Sequence, residues 1–179
     1  MTSAVALLIA RVVAGLGLGS HGSQKLFGWF GGSGPKGIGA YFSRLGFPAP
    51  VFFAILAGIG EFVGGLLLAV GWLGAIGPAL IISVMLVAIV SEHLPHGFYA
   101  YNGGYELPSM YAMIALAIAF AGPGALSLDS LWPVHVLETA GVSWILIGIG
   151  IVLSVIVLST RHRSHDRPIG DRRLLQTGS

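Results

Sequence analysis

The chain has 179 residues, of which 55% are hydrophobic and 9% charged, against roughly 25% charged residues in an ordinary soluble domain. A chain of this size makes one helical bundle and leaves no room for a separate soluble catalytic domain. It has no cysteine, which excludes disulfides, thiol redox catalysis and thiolate-held iron–sulfur clusters.

The apolar residues come in unbroken runs, and the charge-free stretches 62–91, 107–128 and 139–160 have the length of membrane spans. The first run, about 4–21, lacks a basic leading segment and carries Arg11 in its middle. That arrangement predicts a retained span rather than a cleaved signal peptide. Loop 1, residues 22–50, is rich in Gly, Pro and aromatics and long for a connection between helices. Within it, "GIGAYFSRLGFPAP" has the period of an amphipathic segment lying in the membrane interface, where it could also cover a pocket. Further spans are expected at 51–72, 74–92, 107–124 and 141–160. Gly71, Gly74, Gly77 and Pro78 allow a tight hairpin between the second and third, and "GPG" at 122–124 stops the fourth. The roughly ten-residue alternation of a β-barrel is absent. Gly15 with Gly19, and Gly60 with Gly64, supply small-residue spacings that let helices approach closely.

Lys and Arg mark the topology. Loop 1 holds Lys25, Lys36 and Arg44, the tail after 160 holds five Arg, and the other connections hold none. Five spans put loop 1, residues 93–106 and the tail on one face, which the positive-inside rule makes cytoplasmic. The basic tail is expected to be disordered and to meet lipid rather than nucleic acid.

Two charged residues fall well inside the apolar runs. Arg11 lies ten positions before His21, and Glu61 ten after Val51. Counted from those ends, both sit at the same depth, so a buried ion pair between them is expected. Such a pair serves equally well to fix helix register or to carry function. Near the loop-1 face a second polar group gathers. His21, Gln24 and Lys25 end the first span; Glu92, His93 and His96 end the third; Asn102, Tyr105 and Glu106 precede the fourth. His and Glu there can exchange protons near neutral pH, and Tyr, His and Lys can hydrogen-bond a quinone-like carbonyl. An interfacial collar is the plainer explanation for any one of these residues, but convergence from three helix ends makes a polar pocket an equal alternative. Pro95 interrupts the helix between His93 and His96, which argues against a metal site, and haem between His21 and His93 is disfavoured because both sit at the rim. No metal site is therefore expected. Asp129 in "GPGALSLDS" is read as a capping or turn carboxylate.

Taken in order, "HGSQKLFGWFGG", "GFPAP", "LAGIGEFVGGLLLAVG", "MLVAI" with His93, "HGFYAYNGGYE" and "GPGALSLD" resemble the DoxX family of small bacterial membrane proteins. The resemblance covers residues 5 to about 130. It implies a four-helix transmembrane core in the bacterial cytoplasmic membrane, to which this chain adds a fifth span at 141–160. Some relatives are small subunits of a thiosulfate:quinone oxidoreductase, and others are linked to membrane-bound oxidative-stress complexes. Four-span relatives often place the N-terminus inside, so which side the polar face looks toward stays open.

The expected organisation is a bundle over 1–130 with its interfacial loop at 22–50, a loop and added helix over 131–160, and the tail 161–179. The expected function is that of a membrane subunit of a redox system that binds quinone and has a protein partner. Glu61 and His93 would handle protons, while Arg11, His21, Gln24, Lys25, Asn102, Tyr105 and Glu106 would hold the ligand. A non-catalytic docking or assembly subunit is the alternative.

Overall fold

A computed structural model describes residues 2–162, and the tail from residue 163 lies outside the described residues. Among the described residues every regular element is helical. The order is α1 (Thr2–Phe27), the amphipathic α2 (Gly34–Arg44), α3 (Pro50–Val70), α4 (Ile76–Ala88), α5 (Glu106–Ala121) and α6 (Ala140–Ser159). Beyond Ala88, α4 continues as a wide π turn, Ile89–His93, and a short 3-10 turn, Leu94–His96.

Local chemistry sets these limits. α1 runs past the polar residues that follow its apolar run because their groups are satisfied within the helix. Ser20 donates to the Gly17 carbonyl at 2.6 Å and Ser23 to the Ser20 carbonyl at 2.7 Å. Lys25 stands in the last turn, where the helix dipole favours a cation. Gly28, left-handed at φ 72°, follows its end. Proline in the first turn suits the start of α3. Thr139 caps α6, its hydroxyl oxygen accepting from the Val142 amide at 3.4 Å.

Among the described residues, four helical stretches are long and apolar enough to cross a membrane: Thr2–Phe27, Pro50–Val70, Ile76–His96 and Ala140–Ser159. α5 has 16 residues, which makes about 24 Å of helix against a hydrocarbon core of about 30 Å. The short member of the bundle is thus α5, and the C-terminal helix is a full-length apolar helix. The amide of His162 donates to the Gly46 carbonyl at 2.9 Å, so α6 ends beside the loop that follows α2. At the other end, the Leu128 amide donates to Val70, the last residue of α3, at 3.0 Å. These contacts match an odd number of antiparallel apolar helices.

The closest helix pair is α1 with α3. A side chain on Gly15 would stand 2.5 Å from the Gly65 carbonyl oxygen, so the two backbones meet with nothing between them. Gly60 and Gly64 instead face α4, against Val84 and Ile81. Leu18, Leu68, Ile81, Met85, Ala115 and Ile147 fill the centre. Val13, Met113, Ile145 and Val155 point outward and are exposed to the bilayer. α2 lies across the start of α3, with Phe42, Phe47 and Phe53 in ring contact.

Candidate functional site

The expected Arg11–Glu61 pair does not form. Helix α1 ends at Phe27 rather than His21, so Arg11 lies sixteen positions from that end while Glu61 lies eleven from the start of α3. The α1–α3 register separates them further: Gly22 of α1 meets Phe62 and Gly15 meets Gly65, so Arg11 comes level with Gly71 and Glu61 with the turn around Gly22. Arg11, fully buried, donates through Nη2 to the Leu126 carbonyl. Its Nη1 occupies the space that a side chain on Gly71 would fill, at the left-handed cap of α3. The carbonyl end of the α3 dipole and the carboxylate of Asp129 are the negative groups that face it there. Asp129 is the turn carboxylate its sequence setting suggested. Its Oδ1 accepts from the Leu73 amide at 2.9 Å and its Oδ2 from the Gly74 amide at 2.8 Å.

Glu61 pairs with Lys25. In the last turn of α1, the ammonium of Lys25 donates to Glu61 Oε1; the Glu61 side chain is only 4% exposed and that of Lys25 23%. Glu61 Oε2 is buried and has no hydrogen-bond partner. The pair forms the inner end of a vestibule of about 300 Å³ whose polar lining also includes His21, Glu92, His93 and Tyr111. The His21 ring meets Tyr111 edge-on with centroids 6.4 Å apart. His93 is held by a 2.6 Å hydrogen bond between Nδ1 and the Gly103 carbonyl, which leaves Nε2 on the side of Glu92, 3.8 Å from its carboxylate. The π turn at 89–93 lets the consecutive residues Glu92 and His93 both reach the vestibule.

The remaining expected site residues build the surroundings. Gln24 donates to the Phe30 carbonyl at 3.3 Å and holds the turn after α1. Glu106 accepts from the Ala100 amide at 2.8 Å, and Tyr105 packs edge-on against Phe98. Asn102 is exposed on the same loop. That loop reaches the vestibule through Ala100, Gly103 and Gly104. Among the described residues, no group of three His, Asp or Glu side chains is placed to hold a metal ion.

Two tyrosines escaped the sequence reading. Tyr111 stands in the mostly apolar α5, and its hydroxyl lies over Gly17, 2.8 Å from where a side chain would begin. Tyr41 projects from α2 toward Glu92. Burial pushes its phenol well above the ordinary value of 10.0, and the hydrogen bond to Glu92 and the charge of that carboxylate push it further.

Beside the vestibule lies a second cavity, of about 270 Å³, roofed by α2. Its roof is tied down by Arg161, just past the end of α6. Arg161 donates through Nε to the Leu45 carbonyl at 2.9 Å and through Nη2 to the Ser91 carbonyl at 3.2 Å, and its guanidinium lies 5.4 Å from the centre of the Phe47 ring. Ser91 needs such a donor because Pro95, four residues on, has no amide hydrogen to give its carbonyl.

The DoxX family model matches residues 6–94, a stretch that includes Lys25, Glu61, Glu92 and His93 but stops short of Tyr111 and Arg161. The chain is 32% identical over 136 residues to "Uncharacterized membrane protein Rv3486" of Mycobacterium tuberculosis (strain ATCC 25618 / H37Rv), covering 69% of this chain and 78% of that protein. No solved structure matches. With a relative aligned over most of both lengths and the family pattern spanning α1, α3 and α4, this multi-pass membrane protein belongs to the DoxX family.

Proposed function

We propose that the chain is a subunit of a redox system in the bacterial cytoplasmic membrane and that its vestibule binds the head group of a quinone. The observation that carries this reading is the unpartnered Oε2 of Glu61 beside the Lys25 ammonium at the inner end of a cavity between apolar helices. A buried polar atom left without a hydrogen bond costs about 1–3 kcal/mol, and a ligand hydroxyl would satisfy it.

Lys25 has three ammonium donors and gives one to Glu61. Another can donate to the carbonyl oxygen of an oxidised ring. Glu61 Oε2 can accept from the hydroxyl of a reduced one, so the pair suits both redox states. His93 and Glu92 stand toward the loop face, where protons exchange with water, and Tyr111 and His21 wall the ring. A bound quinone supplies two-electron, two-proton redox chemistry. Its electrons would come from a partner protein, and this chain would bind the ring, orient it and carry protons between Glu61 and the surface.

Purification in mild detergent, followed by lipid extraction and mass spectrometry, tests the reading. Quinone near one molecule per chain, reduced several-fold in Glu61→Gln, is the expected result. Absence of quinone, together with unchanged quinone reduction in membranes carrying Glu61→Gln, would overturn it. Purification with a stoichiometric redox partner but an empty bundle would instead support a docking subunit.

A further inference from the structure

The vestibule and the cavity under α2 share one wall. Lys25, Ala88 and Glu92 line both of them. Two of those three are long side chains with several rotatable bonds, and the third presents a single methyl group, so the partition is thin and movable. The two sides differ in chemistry. Beyond the partition, Phe42 of α2, Phe53 and Leu56 of α3, Val87 of α4 and Val157 of α6 make a mostly apolar lining. At about 270 and 300 Å³, each cavity alone sits at the lower edge of the roughly 300–1,000 Å³ usual for ligand sites, and together they fall well inside it.

We infer that the two cavities are the compartments of one amphipathic site, in which a polar ring occupies the vestibule and a single hydrocarbon chain passes Ala88 to lie beneath α2. This rests on the head-group reading above and adds the chain to it. A methylene fills about the same volume as a water molecule, roughly 30 Å³, so the lid cavity has room for a chain of about nine carbons. The ligand class is therefore a ring that bears one alkyl or prenyl chain, whose first carbons are buried in protein. The Arg161 contacts then hold the roof over that chain.

The full chain, purified in detergent, is titrated with a chainless dimethoxy-methyl-benzoquinone and with its decyl derivative, read by quenching of intrinsic fluorescence. Ala88→Phe closes the partition, and Val157→Trp fills the lid cavity from α6, away from the ring. One methylene too many in an apolar pocket costs about 10–200-fold, so each variant should bind the decyl compound at least tenfold more weakly than wild type. Val157→Trp should hold the chainless one within about twofold, because Val157 lines the lid cavity and not the vestibule. If Val157→Trp binds the decyl compound as wild type does, the chain does not lie under α2 and the inference fails, with the head-group reading intact. If Ala88→Phe loses both probes, Val157→Trp decides alone. If wild type binds neither probe, the head-group reading itself is overturned.

Discussion

The bundle holds a buried Arg11 toward one end and a half-buried Lys25 toward the other, and their carboxylates are used in opposite ways. Asp129, beside Arg11, has both oxygens occupied by backbone amides of the α3–α4 turn. Glu61, bound to Lys25, has one oxygen occupied and one idle beside a cavity. A carboxylate whose acceptors are all spent on backbone fixes a turn and has nothing left for a ligand. A carboxylate with an idle buried oxygen is poorly satisfied as a structural element and available as a chemical one. The Asp129 carboxylate therefore reads as a clamp and the Glu61 carboxylate as a site, although composition alone makes them look alike.

Mutations can break this contrast, beginning where the effect is largest. Asp129→Ala removes two amide acceptors and the anion nearest Arg11. It should destabilise the protein by about 3–5 kcal/mol, measured by denaturant unfolding in detergent, while leaving quinone affinity in the surviving folded fraction unchanged. At the other end, Lys25→Met strands Glu61 in the interior and should cost about 3 kcal/mol. Glu61→Gln keeps the shape and leaves Lys25 within reach of water, so about 1–2 kcal/mol is expected, with quinone binding weakened several-fold. Equal stability losses at Asp129 and Glu61, with ligand binding spared in both, would erase the distinction.

Smaller effects test how far the site extends. Arg161→Ala removes two carbonyl contacts and one ring contact from the roof. A loss of about 1–2 kcal/mol is expected, concentrated as faster amide hydrogen exchange over residues 34–44. Uniform acceleration across the bundle would show that Arg161 is not a latch for α2. The smallest effect concerns Tyr41. Its phenol is held neutral in the folded protein, so stability is unaffected below pH 10 and falls as pH rises past that ordinary value, where only the unfolded chain ionises. Tyr41→Phe should flatten that part of the stability–pH curve and leave the curve at neutral pH in place.

Much of this arrangement is legible in the sequence. The apolar runs locate the helices, the Gly71–Pro78 hairpin and the Asp129 turn sit where their residue chemistry puts them, and topology alone brings His21, Lys25, Glu92 and His93 to one end. The partner of Glu61 was not legible, for a physical reason. Depth was counted from where hydrophobicity stops, at His21, but a helix continues as long as its backbone and polar side chains are satisfied. Ser20, Ser23 and Lys25 carry α1 another one and a half turns. The close α1–α3 packing then sets the register, with Gly22 against Phe62 and Arg11 against Gly71, so that Lys25 reaches Glu61 and Arg11 does not. The π turn at 89–93 is equally hidden, because it depends on the fit of α4 against its neighbours rather than on any residue pattern. Tyr111 could have been noticed as a phenol in a mostly apolar helix, whereas Tyr41 reaches Glu92 only when α2 folds back across α3.

The central claim is that Glu61 meets the ligand through its idle oxygen. Infrared difference spectra, recorded as decyl-benzoquinone is added to the purified chain, test it most directly. A carboxyl band should shift in wild type and be missing from the difference spectrum of Glu61→Gln. Quinone binding with the Glu61 band unmoved would contradict the account.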